Sequence, residues 1–196
     1  MTRRALSLLT AVCLAGCVRT PPPAPQPVRT IAVLPVNNRT GDPLVIAGAS
    51  FLEHYVMRTA RYTVADALAA EARAALVQRG FEVVAPQVVD AAVNGQVPAS
   101  AADAAALAAR NHIEGAVLYI EIHRWESSGG TEPAFIIASI TAMLIEPGTG
   151  RVLWTGVHPS QPVPTPGIIN LGDAYAVAAH TVIIELLAPL VPERPV

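Results

Sequence analysis

Three long apolar segments joined by short turns constrain the fold of this chain most strongly. They lie at Ile113–Trp125, Ala134–Glu146 and Arg151–Val157. The first alternates between two faces, with Ala116, Leu118, Ile120 and Ile122 on one and Val117, Tyr119, Glu121 and His123 on the other. The linking segments Ser127–Thr131 and Pro147–Gly150 are rich in turn-forming residues. The pattern predicts three strands in an antiparallel meander.

The first half of the chain alternates between strand and helix patterns. Val28–Val36 has the unbroken apolar centre of a strand covered on both faces, and Asn37–Pro43 is a dense turn signal. A capped helix begins at Thr63, a short strand follows at Phe81–Ala85 until Pro86, and a second helix begins at Ser100. We therefore expect an α/β fold. It would be a three-layer domain with a mixed sheet of about five strands and helices on both faces.

The last part of the chain predicts a loop and a terminal helix. Four prolines between Pro159 and Pro166 favour an irregular loop. Asp173 is expected to cap a helix whose apolar stripe is interrupted by His180 and Glu185. The interruptions indicate a packed helix and not a membrane span.

The N-terminal residues have the pattern of a secretory signal. Arg3 and Arg4 precede an apolar run that is too short to span a bilayer, and the run closes with Leu-Ala-Gly-Cys at Cys17. This ending resembles the bacterial lipobox, which implies cleavage before Cys17 and lipidation of its thiol. An ordinary signal followed by a coincidental cysteine is the alternative. The expected organisation is a signal peptide (1–16), a lipidated, proline-rich tether (17–28), a single α/β domain (29–190) and a tail (191–196).

Composition narrows the possible functions. Hydrophobic residues make up 52% of the chain and charged residues 14%, which is typical of a well-buried globular domain. With Cys13 in the predicted signal and Cys17 lipidated, no disulfide is expected, so the core alone must stabilise the fold. The basic residues are scattered and the formal charge is -2, which makes nucleic-acid binding improbable.

Three local patterns add a resemblance to a known group of proteins. They are Ile31–Gly41 (IAVLPVNNRTG), Gly80–Val84 (GFEVV) and Gly148–Gly156 (GTGRVLWTG), with the strand Gly115–Ile120 between the last two. Together behind a lipobox they resemble a superfamily of bacterial envelope assembly lipoproteins. It includes LpoB, the periplasmic domain of CsgG, the N-terminal domain of TolB and small outer-membrane lipoproteins of unknown role. The resemblance implies a non-catalytic domain that binds other envelope proteins.

The chain departs from these relatives in two respects. The tether Thr20–Pro27 would reach only about 25 Å as a polyproline II helix, too short to cross the cell wall. The turn at Ser127–Gly130 belongs to a hairpin too short to build a membrane pore. Wall-crossing and pore-forming roles are therefore not expected.

Catalytic and ligand-binding patterns are weak. The histidines lack the helical pairing of a metal site, and we expect neither metal nor cofactor. Glu121 and His123 share a strand face, where a satisfied hydrogen bond or salt bridge is favoured over a small envelope hydrolase using both residues. Trp125 and Trp154 are expected near the ends of adjacent strands as packing residues, with a sugar-binding platform as the alternative.

The expected function is that of a non-enzymatic accessory or assembly subunit in cell-envelope complexes. Cys17 would anchor it by lipid, and Val18, where an aspartate would favour inner-membrane retention, favours the outer membrane with the domain facing the periplasm. The candidate contacts with an unidentified envelope protein are Phe51, Tyr55, Met57 and Tyr62, and a further candidate surface is the loop His158–Gly167. The alternatives are that the aromatic segment covers one sheet face, or that it joins copies of this chain in a homo-oligomer.

Overall fold

A mixed sheet forms the centre of the computed structural model, which describes residues 28–46, 62–130 and 132–192. Its strands within those ranges are β1 Thr30–Val33, β2 Asn37–Asn38, β3 Glu82–Val83, β4 Ala116–Ser127, β5 Phe135–Glu146 and β6 Arg151–Pro164. The strand order is β3-β1-β4-β5-β6, and β2 pairs with β4 beyond the end of β1. The strands β1 and β2 run parallel to β4, whereas β4, β5 and β6 form an antiparallel meander. The predicted α/β class is confirmed, and β2 brings the described sheet to six strands.

Helices pack on both faces of the sheet, which confirms the three-layer prediction. On one face lie α1 (Val64–Gln78) and α4 (Leu171–Leu187), whose apolar sides meet the even-numbered residues of β4 and β5. On the other face, α2 (Pro86–Val93) and α3 (Ala101–Arg110) cover β1, the first half of β4 and the end of β5. The remaining part of that second face, on β4, β5 and β6, carries polar and half-buried side chains.

The helix starts follow from local hydrogen bonds. Thr63 and Asp66 form a capping box: the Asp66 amide donates to the Thr63 hydroxyl at 3.3 Å, and the Thr63 amide donates to the Asp66 carboxylate at 2.8 Å. Ser100 caps α3 as predicted. The expectation that Asp173 caps the last helix is wrong, since Asn170 is the N-cap and accepts from the Asp173 amide at 2.7 Å.

Of two predictions that rested on prolines, the first is incomplete and the second is wrong. Pro86 does not only stop a strand; it occupies the first turn of α2, where its missing N–H costs no hydrogen bond. The loop expected from His158 to Gly167 is for the most part the second half of β6, which continues through Pro164. Prolines are tolerated there because β6 is an edge strand, where the outward positions need no donor.

The predicted packing of the terminal helix holds. Ala178, Ala179, Val182, Ile183, Leu186 and Leu187 are all buried, while His180 and Glu185 are exposed. The Nδ1 atom of His180 is hydrogen-bonded to the Glu71 carboxylate of α1 at 2.8 Å, which joins the two helices at their surface. Across the described ranges, no helix combines the length and the apolar character that a membrane crossing requires.

Candidate functional site

The strands β1, β2 and β4 run in the same direction. We therefore call the end of the domain where β1 and β4 begin the basal end, and the opposite end the distal end. At the basal end lie Val28, the starts of β1 and β4, and the residues that follow α4. At the distal end lie the last residues of β4 and the first turn of α4. Since α4 has 17 residues, it alone separates the two ends by about 25 Å.

Residues 47–61 leave and rejoin the described domain at a narrow neck, which we define as Leu44–Ile46 and Tyr62–Thr63. The Ile46 amide donates to the Tyr62 carbonyl, and the Val64 amide donates to the Leu44 carbonyl, both at 2.9 Å. The backbone of Ile46 lies directly against Gly172 in the first turn of α4, so close that a Cβ on this glycine would collide with the Ile46 carbonyl. The neck is therefore fixed at the distal end.

Among the predicted contact residues, only Tyr62 lies in the described part of the chain. It stands at the neck with 43% of its surface exposed, and partial burial together with the charges of Asp66 and Glu71 raises its pKa. Phe51, Tyr55 and Met57, like the predicted lipidation site Cys17, lie outside the described residues. Ile169, 74% exposed, adds a second apolar side chain at the distal end.

The basal end carries an apolar groove of about 460 Å³, which we call the basal groove. Its walls include Val28, Phe81, Val152, Trp154, Leu190 and Val191. A smaller cavity of about 320 Å³ adjoins it, shares Val28 and Arg151, and adds Arg29. The first described residue of the chain thus forms part of the groove, and two arginines border it.

Trp154 is held in the groove by an unusually close contact with its own strand. A Cβ on Gly156 would lie 2.4 Å from Cη2 of the Trp154 indole, so the ring lies over the space that this glycine leaves open. Trp125, in contrast, is 2% exposed and packs edge-on against Tyr175 at a centroid distance of 6.1 Å. The two tryptophans therefore form no common platform for a sugar.

A polar cluster joins β2 and β4 on the second face of the sheet. The Asn37 amide donates to the Tyr119 hydroxyl at 3.0 Å and to the Ala99 carbonyl at 3.3 Å. Arg39 donates to the Glu121 carboxylate at 2.7 Å, and this hydrogen bond with the carboxylate charge raises the pKa of Arg39. Burial raises the pKa of Tyr119. The residues that looked like a turn signal thus hold β2 against β4.

Glu121 and His123 are not hydrogen-bonded to each other in the described structure. The Glu121 carboxylate is only 8% exposed and bonds to Arg39, whereas the exposed His123 ring bonds to the Thr141 hydroxyl at 2.9 Å. Both groups are satisfied, as expected, although by other partners. A hydrolase would need Glu121 to orient His123, and this geometry does not provide that contact.

A third cavity, of about 370 Å³, lies along β6 and the end of α4 and shares Trp154 with the basal groove. It contains His158, which is 3% exposed, with its Nε2 at 3.2 Å from the Gln161 amide and 3.5 Å from the Glu185 carboxylate. The described residues supply no partner for its Nδ1. They also contain no cluster of three or more His, Cys, Asp or Glu side chains that could hold a metal ion.

Comparison with known proteins identifies similar structures but no similar sequence. No protein-family model matches the chain, and no curated protein does. The PelC dodecamer of Paraburkholderia phytofirmans matches with a TM-score of 0.49 and 16% identity, over 85% of this chain and 90% of that chain. Lipoprotein GNA1162 of Neisseria meningitidis matches at 0.47 and 20%, over 83% and 98%. LpoB of E. coli matches at 0.42 and 21%, over 82% and 84%.

These similarities include the kind of protein that the sequence patterns resemble. LpoB and a neisserial lipoprotein are both among the matching structures. The TM-scores and identities are low, and such likenesses carry no conclusion about function. The function is therefore inferred from this chain's own residues.

Sequence reasoning missed the basal groove, because its walls come from five separate parts of the chain. Val28, Phe81, Leu144, Trp154 and Leu190 meet only after β1, β5 and β6 are aligned and α4 is docked. The available signal was the pair Trp154 and Gly156 in the Gly148–Gly156 motif. A glycine two residues after a tryptophan in a strand leaves room on the same face for the ring.

Proposed function

We propose that this protein is a non-catalytic envelope lipoprotein that Cys17 anchors to the outer membrane, with the domain facing the periplasm. It acts as an accessory or assembly subunit, and the segment containing Phe51, Tyr55, Met57 and Tyr62 contacts another envelope protein. This proposal rests on one observation: the side of the domain that the predicted anchor reaches and the side that holds the candidate contact segment are opposite ends. The chain coming from Cys17 reaches the basal end at Val28, whereas the neck is fixed at the distal end.

This arrangement suits a membrane-anchored protein whose partner lies away from the bilayer. Val28 lies eleven residue steps after Cys17, and a polyproline-like chain of that length spans about 34 Å. The basal end therefore stays near the membrane when Cys17 is lipidated. The neck, about 25 Å further along α4, then presents the aromatic segment to the periplasm.

The apolar character of the distal end supports a protein partner. Tyr62 and Ile169 are exposed there, and aromatic side chains with a polar tip are enriched at protein interfaces. The segment 47–61 adds Phe51, Tyr55 and Met57 over a short stretch of chain. Residues of these types carry a large part of the binding energy in many interfaces.

Site-specific photo-crosslinking in living cells tests the proposal. A photoreactive phenylalanine analogue is placed at Phe51, Tyr55 or Tyr62, and at Val88 on α2 as a control that is 60% exposed. We expect one envelope protein to be attached at the first three positions and not at Val88. The same adduct should be lost in the Cys17→Ser variant, which removes the anchor.

Other results would redirect or overturn the proposal. Adducts of this chain with itself, together with an oligomer in light scattering, would assign the segment to a homo-oligomeric interface. Equal labelling at Val88 would mean that the distal end has no special role. Radiolabelled palmitate in the wild type but not in Cys17→Ser tests the lipid anchor separately.

A further inference from the structure

We propose that the basal groove binds the proline-rich segment Thr20–Pro27 of the same chain. This inference goes beyond the envelope role proposed above and does not depend on lipidation of Cys17. Three properties of the groove point to this occupant: its position on the chain, the chemistry of its walls and the polar groups at its border.

The position of the groove places the segment at its edge. Val28 forms part of the groove wall and directly follows Pro27. Docking of the segment is therefore intramolecular, and a short connection of this kind gives an effective concentration in the millimolar range. Even a groove that binds the same peptide weakly in solution would be substantially occupied.

The walls of the groove have the chemistry that proline-rich peptides need. Such peptides adopt a preformed polyproline II helix, lose little entropy on binding and dock into grooves lined by aromatic residues. The basal groove offers the half-buried Trp154 together with Phe81, Leu190 and Val191. Five of the eight residues Thr20–Pro27 are proline, which supplies the apolar rings for such a surface.

Polar donors are available for the carbonyl groups of the segment. A polyproline II helix makes no internal hydrogen bonds, so its carbonyl oxygens remain as acceptors. Trp154 is half-buried in the groove wall and carries an indole N–H, and the side chain of Arg151 is half exposed at the border, with its Nε 3.6 Å from the Glu146 carboxylate. Both can donate to a docked peptide backbone.

Occupancy of the groove can be measured through tryptophan fluorescence. The chain contains two tryptophans, and Trp125 is 2% exposed, so quenching by acrylamide reports mainly on Trp154. The full chain is reconstituted in phosphatidylcholine vesicles. It is compared with a variant in which Pro21, Pro22, Pro23, Pro25 and Pro27 are replaced by Ser. A matched control carries Thr20→Ser and Gln26→Ser, which changes the same segment but keeps its prolines.

We expect at least a twofold larger acrylamide quenching constant in the five-serine variant and no change in the control. Adding a synthetic Thr20–Pro27 peptide at millimolar concentration to the five-serine variant should restore the protection of Trp154. The corresponding peptide with serine in place of proline should not. Unchanged far-UV circular dichroism establishes that all chains keep the same fold.

Three results would overturn the proposal. The first is equal quenching in the wild type and the five-serine variant. The second is strong quenching of the wild type by brominated phosphatidylcholine, which would assign the groove to the membrane surface. The third is protection that increases with the protein-to-lipid ratio, which would assign the groove to a second copy of the chain.

Discussion

Replacing Gly156 by Ala should destabilise the domain through a single, identifiable collision. The new Cβ would lie 2.4 Å and 2.6 Å from two ring carbons of Trp154 and 3.1 Å from Cδ1 of Leu186. Contacts below 3 Å cannot persist, so the indole must leave its position or β6 must move away from α4. Forced overpacking of this kind costs about 1–3 kcal/mol.

The assay is urea unfolding followed by far-UV circular dichroism, with thermal unfolding in parallel. For a domain of this size, 1 kcal/mol shifts Tm by about 2–4 °C, so a cost of about 1–3 kcal/mol should lower Tm by about 2–12 °C. Gly148→Ala is the matched control, because a Cβ at Gly148 meets no atom within 4 Å. It should change the free energy of unfolding by less than about 0.5 kcal/mol.

A double-mutant cycle with Trp154→Ala identifies the collision partner. Once the indole is removed, the next contact of the Cβ at position 156 is Cδ1 of Leu186 at 3.1 Å, and the end of that side chain can shift slightly. The Gly156→Ala change should then cost less than about 1 kcal/mol, which gives a coupling of about 1–2 kcal/mol. If Gly156→Ala costs the same with and without Trp154, the explanation of this glycine by the indole contact is incorrect.

Three further predictions concern other parts of the fold. Gly115→Ala should cost about 2 kcal/mol or more in urea unfolding, because φ is +77° and the Cβ would lie 2.3 Å from the Thr30 carbonyl oxygen; a neutral result would refute this. Asn37→Ala should cost about 1–2 kcal/mol by removing a hydrogen bond to buried Tyr119, and its effect should be smaller in a Tyr119→Phe background; strictly additive effects would contradict the contact. Replacing Pro162 and Pro164 together by Val should increase aggregation measured by dynamic light scattering, because the edge strand β6 would regain donors; unchanged scattering would mean that another feature protects this edge.

Local sequence signals predicted those elements whose structure is determined locally. The Thr63 and Asp66 pair, three residues apart, predicted the start of α1, and the same spacing at Ser100 predicted α3. The alternation in β4 was predicted along with the two faces, up to the bulge between Ile122 and Arg124. In each case the necessary hydrogen bonds or burial pattern lie within a few residues of one another.

Elements whose structure depends on distant partners were not predicted. Pro159, Pro162 and Pro164 suggested a loop, because their place in a strand is allowed only if that strand lies at the edge of the sheet. Asn37 and Asn38 suggested a turn, and their pairing with Glu121 and Ile122 requires β4 to be in place. The candidate interaction sites divide similarly: Cys17 and the aromatic segment are predictions from local sequence, whereas the basal groove depends on tertiary packing.

The position of β1 between β3 and β4 has a consequence for how the chain acquires its structure. Its neighbours are β3, at residues 82–83, and β4, which begins at residue 116, so β1 has no partner on either side until much later in the chain. Pairings between such distant segments give a high contact order and slow folding, because long loops must close before the contacts form. When the chain is delivered from its N-terminus onwards, β1 has no strand beside it until residue 82 and none on its other side until residue 116. The sheet around β1 can therefore be completed only after the start of β4 has been delivered.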